Sequence, residues 1–174
     1  MNRSSRSIQI NGIVQGVGFR PFIYSLALQH HLTGWVRNSG RGVDIEITGL
    51  ENDLNYFIEA IPRLAPPLAE IDFITAVEIE SQSFDGFQIR QSEDNPADFI
   101  PVSPDMTICK DCQSELFNPV DRRYRYPFIN CTNCGPRFSI IKDIPYDRAT
   151  TTMSEFEMCA ACFAEYKNPL DRRF

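Results

Sequence analysis

Residues 8–34 read IQINGIVQGVGFRPFIYSLALQHHLTG, and three physical signatures succeed one another along them. Ile8 and Ile10 alternate with Gln9 and Asn11, the period-two pattern that predicts a strand over 8–14 with one buried face. Gly12, Gly16 and Gly18 then punctuate a loop that ends at Arg20. Pro21 suits a first helical position, and Phe22, Ile23, Leu26, Ala27 and His30 share one face at helical spacing, with Gly34 just past the end. Where a strand runs through such a loop into a helix, backbone N–H groups lack partners and face the positive end of the helix dipole, which makes an anion site. The loop amides of Gln15, Gly16, Val17, Gly18 and Phe19 are the candidate phosphate-binding groups. Arg20 adds a planar guanidinium that can grip two oxygens at once.

Working outward, Trp35–Asn38 and Val43–Thr48 read as a hairpin around Ser39-Gly40-Arg41-Gly42, with Val43, Ile45 and Ile47 on one face and Asp44 and Glu46 on the other. Leu50, Leu54, Phe57, Ile58, Ile61 and Leu64 fit a helical stripe, predicting a second helix over 52–63 that stops before Pro66-Pro67. Strands near 71–80 and 86–90 complete the order β-α-β-β-α-β over residues 1–91. That order predicts an α+β, ferredoxin-like sandwich: a four-stranded antiparallel sheet with both helices on one face.

Prolines and acids displace periodic structure over 92–107, a linker. All six cysteines lie beyond it, in three Cys-x-x-Cys pairs. Cys109/Cys112 and Cys131/Cys134 supply four thiolates at the spacing of a structural zinc site over 108–150, with redox dithiol or iron–sulfur ligation as the weaker readings. Residues 109–124 also match 159–174 without a gap, which marks two copies of one small module. The second copy, 151–174, brings Cys159 and Cys162 as half of a further zinc site, open to reading as a free dithiol, an adventitious metal site or an intermolecular one, with two plain buried cysteines as the weaker reading. It stops at Phe174 before an equivalent second pair, so the chain is expected to be truncated inside that module.

Composition excludes several function classes. A net charge of -6 disfavours nucleic acid, and the repeated Asp-Arg-Arg of 121–123 and 171–173 is better explained as part of the module's fold. No apolar run suits a signal peptide or a membrane span, so the expected location is the cytoplasm, where thiols stay reduced. No Gly-Lys-Ser/Thr completes a nucleotide P-loop, and Gly16-Val-Gly18 lacks the third glycine of a dinucleotide fingerprint. His30 and His31 end the first helix, far from every cysteine, and read as cap or surface residues.

Gly12-x-Val-Gln-Gly-Val-Gly-Phe-Arg20, Gly34-Trp-Val-Arg-Asn38 and the Gly42-Val-x-Ile hairpin resemble the acylphosphatase family over residues 8–91. The resemblance implies that Arg20 binds the phosphoryl group and Asn38 positions the attacking water, without a metal at the phosphate site. Tyr124-Arg-Tyr-Pro-Phe-Ile-Asn-Cys131 and Pro169-Leu-Asp-Arg-Arg-Phe174, fused to such a domain, are similar to the amino-terminal part of the HypF carbamoyltransferases of nickel–iron hydrogenase maturation. That resemblance implies hydrolysis of carbamoyl phosphate to carbamate, with structural zinc. It also implies ATP use only in domains beyond this chain, and delivery of the carbamoyl group to a HypE-like partner. A general acylphosphatase and a non-catalytic zinc-ribbon interaction module stay open beside it.

Overall fold

The computed structural model describes residues 3–92, 105–135, 137–143 and 147–174. Most of the 92–107 linker lies outside the described residues. The first half follows the expected element order: β1 (Arg3–Ile13), α1 (Phe19–Gln29), β2 (Thr33–Ser39), β3 (Gly42–Leu50), α2 (Glu51–Leu64), β4 (Glu70–Ile79) and β5 (Phe87–Ile89). The sheet has five strands rather than four, in the order β4-β1-β3-β2-β5. β1 pairs antiparallel with β3 and β4, and β2 with β3, but β5 runs parallel to β2 with Gly34 opposite Phe87. The strand expected near 86–90 forms as β5, three residues long, and it joins the sheet as a fifth, parallel edge strand held by β2 and by the burial of Phe87, where element order predicts a four-stranded antiparallel sheet.

Register puts the alternating apolar residues on one face, with Ile8 opposite Ile45 and Ile10 opposite Val43. Against that face pack Ile23, Leu26 and Ala27 of α1 and Leu54, Phe57 and Ile61 of α2, all in one buried cluster. Each fully buried side chain of this size contributes about 1.5–3 kcal/mol, so the cluster is what holds both helices to the sheet. Leu64, placed on that stripe by periodicity, is instead 57% exposed in the last turn of α2. Pro62 lies inside α2, which therefore extends closer to Pro66 than its own proline content suggests.

Two helix ends also differ from the sequence reading. Pro21 is the third residue of α1, not the first; Gly18 is the N-cap, and proline fits anywhere in the first turn because those N–H groups lack helical partners. At the other end His31, with φ 54, supplies the left-handed cap residue: its N–H donates to Leu28 O (3.1 Å) and that of Leu32 to Ala27 O (2.9 Å). His31 thus has the capping role, and Gly34 lies in β2, where its N–H donates to Gly86 O at 2.9 Å.

Beyond the linker, α3 (Lys110–Phe117) and α4 (Ala160–Lys167) follow Cys109 and Cys159, which cap them. The sequence repeat is a structural repeat. In both copies an Asn carboxamide oxygen accepts from the residue two ahead (Asn118 from Val120, 3.2 Å; Asn168 from Leu170, 3.1 Å). An Asp carboxylate does the same (Asp121 from Arg123, 2.7 Å; Asp171 from Arg173, 2.8 Å).

Candidate active site and metal centre

Between β1 and α1 the chain turns through Gly16 (φ 70) and Gly18 (φ 76), left-handed conformations that a side chain disfavours by about 1–2 kcal/mol. Val14, Val17 and Phe19, each 1% exposed, are sunk into the core and fix the loop from beneath. Among the described residues no acceptor meets the backbone N–H groups of residues 15–19. The Gln15 side chain does not face the loop's concave side; its Nε2 donates to Ser39 O (2.8 Å) and Gly42 O (2.9 Å) and so staples the loop to the hairpin. What Gln15 can offer an anion is its backbone N–H.

That hairpin carries Asn38. Strand parity turns Val36 and Asn38 toward the core side, while the other side of β2 carries Trp35, stacked between Arg37 (5.0 Å) and Arg90 (4.5 Å). Asn38 is 1% exposed, and neither its Nδ2 nor its Oδ1 has a partner among the described residues. A buried amide without partners costs about 1–3 kcal/mol, and such groups in folded proteins are reserved for a ligand or water. Arg20, on the first turn of α1, is held by Asp147 through a 3.0 Å contact from Nη2 to Oδ1. Ser92 Oγ donates to the other carboxylate oxygen of Asp147 at 3.3 Å.

The second half of the chain closes over this corner. Thr132, between Cys131 and Cys134, packs so tightly on Gly18 that a Cβ there would lie 2.8 Å from the Thr132 Cβ. The result is a cavity of about 700 Å³ whose walls include Gly16, Gly18, Arg20 and Asn38 on one side and Thr132, Asp147, Arg148 and Tyr166 on the other. Burial first, and then the Asp147 charge, push the Tyr166 hydroxyl up, so it remains a protonated donor at neutral pH.

Cys109, Cys112, Cys131 and Cys134 bring their sulfurs within 4.8 Å of one another. Four thiolates at about 2.3 Å from a tetrahedral zinc lie about 3.8 Å apart, and the measured neighbours are at 3.6 Å (Cys109–Cys131), 3.9 Å (Cys134–Cys112) and 4.0 Å (Cys131–Cys134). The cluster fits zinc as a closed structural site. Gly135, at φ 68, makes the tight turn expected after the second pair, and its N–H donates to Cys131 O. The close sulfurs split their proton affinities. The hydrogen bond with Cys131 holds the Cys134 thiol down to about 4, while the same contact and then burial push Cys131 up. Burial is the main reason Cys112 is raised as well. A dication at the centre resolves that conflict by favouring all four thiolates.

Cys159 and Cys162 join no group of three or more metal-ligand residues among the described residues. They meet an arginine instead: Arg122 Nη1 donates to Cys162 Sγ (3.0 Å) and lies 3.9 Å from Cys159 Sγ. The arrangement is reciprocal. Arg122 and Arg123 of the first copy pair with Glu165 of the second, and Arg172 and Arg173 of the second pair with Glu115 of the first. Arg172 also donates to Cys112 Sγ (3.4 Å) and, through its carbonyl, accepts from the Thr132 N–H (2.8 Å). The repeated Asp-Arg-Arg motifs are therefore the clasp between the copies.

Comparisons with known proteins place both halves of the chain. The acylphosphatase family profile matches residues 6–89, and the acylphosphatase of Bacillus licheniformis is 45% identical over 83 residues, 47% of this chain and 88% of that protein. Over its first half, the chain belongs to the acylphosphatase family. The profile described as the HypF finger matches residues 108–141, beyond the acylphosphatase domain and the linker that follows it. The carbamoyltransferase HypF of Synechocystis sp. is 48% identical over 150 residues, 86% of this chain but 19% of that protein. A crystal structure of full-length HypF in its phosphate- and nucleotide-bound form superposes with a TM-score of 0.91 at 53% identity, covering 99% of this chain and 23% of that one. The chain thus corresponds to the acylphosphatase domain and zinc-finger region of HypF and spans about a fifth of the length of those relatives. No helix among the described residues is long and apolar enough to cross a membrane.

Of the residues singled out from the sequence, the structure brings Gly16, Gly18, Arg20 and Asn38 to one cavity and the sulfurs of Cys109, Cys112, Cys131 and Cys134 to one cluster. Sequence reasoning missed Asp147, Thr132 and Ser92, because nothing in their local sequence distinguishes an Asp or Thr that meets Arg20 or Gly18 from the far half of the chain, or a Ser that meets Asp147 from 55 residues away.

Proposed function

We propose that this chain hydrolyses an acyl phosphate at the β1–α1 loop, and that in the longer protein the substrate is carbamoyl phosphate. The observation that carries the reading is Asn38, an amide 1% exposed whose donor and acceptor both lack partners on the wall of the cavity that also holds Arg20. The phosphoryl oxygens would lie against the N–H groups of residues 15–19 and the Arg20 guanidinium, which neutralise charge as it spreads in the transition state. The Asn38 amide would hold water in line with the leaving oxygen. Water attacks phosphorus, the bond from phosphorus to the acyl oxygen breaks, and the water proton passes to a phosphate oxygen. Carbamoyl phosphate gives carbamate and phosphate. The leaving group is already a stable anion, so neither a general acid nor a metal is needed at this site.

The zinc site serves this chemistry structurally, by fixing Thr132 against Gly18. Activation of the carbamate with ATP and its transfer to a HypE-like partner belong to parts of the longer relatives that this chain does not span. We divide the chain into an acylphosphatase domain (1–91), a linker (92–107), a first zinc module (108–150) and a second copy (151–174), and place it in the reducing cytoplasm, where metal-binding thiols persist. The test is phosphate release from carbamoyl phosphate by the zinc-loaded chain. Arg20→Ala should lower kcat/KM by about a hundredfold or more, the magnitude of one lost charge-assisted contact in a transition state. A wild-type rate indistinguishable from Arg20→Ala would leave the non-catalytic zinc module as the better reading.

A further inference from the structure

We propose that Asp147 reads the acyl end of the substrate and selects a carbamoyl phosphate, whose amino group donates N–H bonds, over acyl phosphates that end in carbon. This rests on the phosphate-loop reading above. When the phosphoryl oxygens face the loop amides and Arg20, the acyl end projects away from the loop, toward the wall built by the second half of the chain. On that wall Asp147 is the carboxylate in contact with Arg20, at 3.0 Å. Glu165, which also lines the cavity, is engaged by Arg122 and Arg123.

Three features suit Asp147 to this task. Its position is fixed: Oδ1 accepts from Arg20, Oδ2 accepts from Ser92 at 3.3 Å, and its backbone N–H donates to Thr150 Oγ1 at 3.2 Å as the cap of the short 3-10 turn Arg148–Thr150. Part of its acceptor capacity is unspent: the two carboxylate oxygens can accept about four hydrogen bonds between them, and their partners here are Arg20, Ser92 and, in the capping box, the Thr150 N–H. It is also open to the cavity, with its side chain 37% exposed. A carboxylate beside an anion site works against anion binding by plain repulsion. That cost is offset when the incoming group brings N–H donors. An acetyl methyl in the same place covers the carboxylate without pairing it, and sites built to bond a substrate N–H reject analogues lacking it for this reason.

The experiment compares kcat/KM for carbamoyl phosphate and acetyl phosphate in wild type, Asp147→Asn and Asp147→Ala, with zinc content and thermal unfolding checked for each variant. Wild type is expected to prefer carbamoyl phosphate. The carbamoyl-to-acetyl ratio should fall about tenfold or more in Asp147→Ala and by less in Asp147→Asn, whose amide oxygen still accepts one bond. If Asp147→Ala does not fold, Asp147→Asn alone must still lower the ratio. An unchanged ratio overturns the proposal, whether both rates fall together, meaning that Asp147 only orients Arg20, or rise together, meaning that it only repels the anion. If wild type hydrolyses both substrates equally and Arg20→Ala abolishes both, the specificity inference falls while the hydrolase reading stands. If wild type hydrolyses neither, the hydrolase reading has failed and takes this inference with it.

Discussion

Replacing Asn38 by leucine, an apolar side chain of similar size, should make the protein more stable and end its turnover. The amide is 1% exposed with two polar atoms unpartnered, on the face of β2 that it shares with the core residue Val36. Leaving such a group buried costs about 1–3 kcal/mol, and leucine removes that cost while adding apolar contact. The adjoining cavity admits water, so the lower part of the range applies, a gain of about 1–2 kcal/mol. In a chain of 174 residues each kcal/mol moves Tm by about 2–4 °C, so the zinc-loaded variant should melt about 2–8 °C higher. Thermal unfolding with and without inorganic phosphate supplies the control. Phosphate should still raise Tm in Asn38→Leu, by ligand linkage, because the loop amides and Arg20 are intact. Phosphate release from an acyl phosphate should nevertheless drop by about a hundredfold or more. A variant that melts below wild type, or that keeps its rate, would refute the claim that this amide is held unpaired for an attacking water.

Four further outcomes follow from the cysteine cluster and from contacts between segments far apart in the chain. Removing zinc by chelation should release about one tightly held ion per chain and weaken phosphate binding as well, because Thr132 loses its fixed place on Gly18; metal analysis and a phosphate titration check both. Zinc occupancy should fall as pH falls, since protons compete for the cysteine sulfurs and bound thiolates must be deprotonated; zinc release against pH reads the sign directly. Gly18→Ala combines a left-handed backbone penalty of about 1–2 kcal/mol with a clash at 2.8 Å, and in a double-mutant cycle Thr132→Gly should recover the clash but not the backbone part. Glu165→Gln should cost about 1 kcal/mol in thermal unfolding, because Arg122 and Arg123 hold this carboxyl below its ordinary range against the opposing effect of burial.

How far the sequence reaches depends on the range of the physics involved. The 8–34 stretch, the Val43, Ile45, Ile47 alternation and the stripe of α2 are local patterns, and each produced the expected element because burial of one face follows directly from period. The helix ends were less legible, since His31 adopts a left-handed conformation usually left to glycine, and the strand near 86–90 was legible while its parallel pairing with the edge of β2 was not. At the site, Arg20 and the loop glycines are signalled by neighbouring residues, whereas the isolation of the Asn38 amide is visible only once its surroundings are.

Local periodicity, the Cys-x-x-Cys spacing and the ungapped repeat were enough to determine the sandwich, the four-sulfur cluster and the kinship of the two copies. Tertiary structure alone decided that Thr132 closes on Gly18, that Asp147 meets Arg20, and that each copy's arginines clasp the other's glutamate. Those contacts join residues far apart in the chain, and they depend on shape and charge matching between segments that only the tertiary fold brings together, so no pattern within a single stretch encodes them.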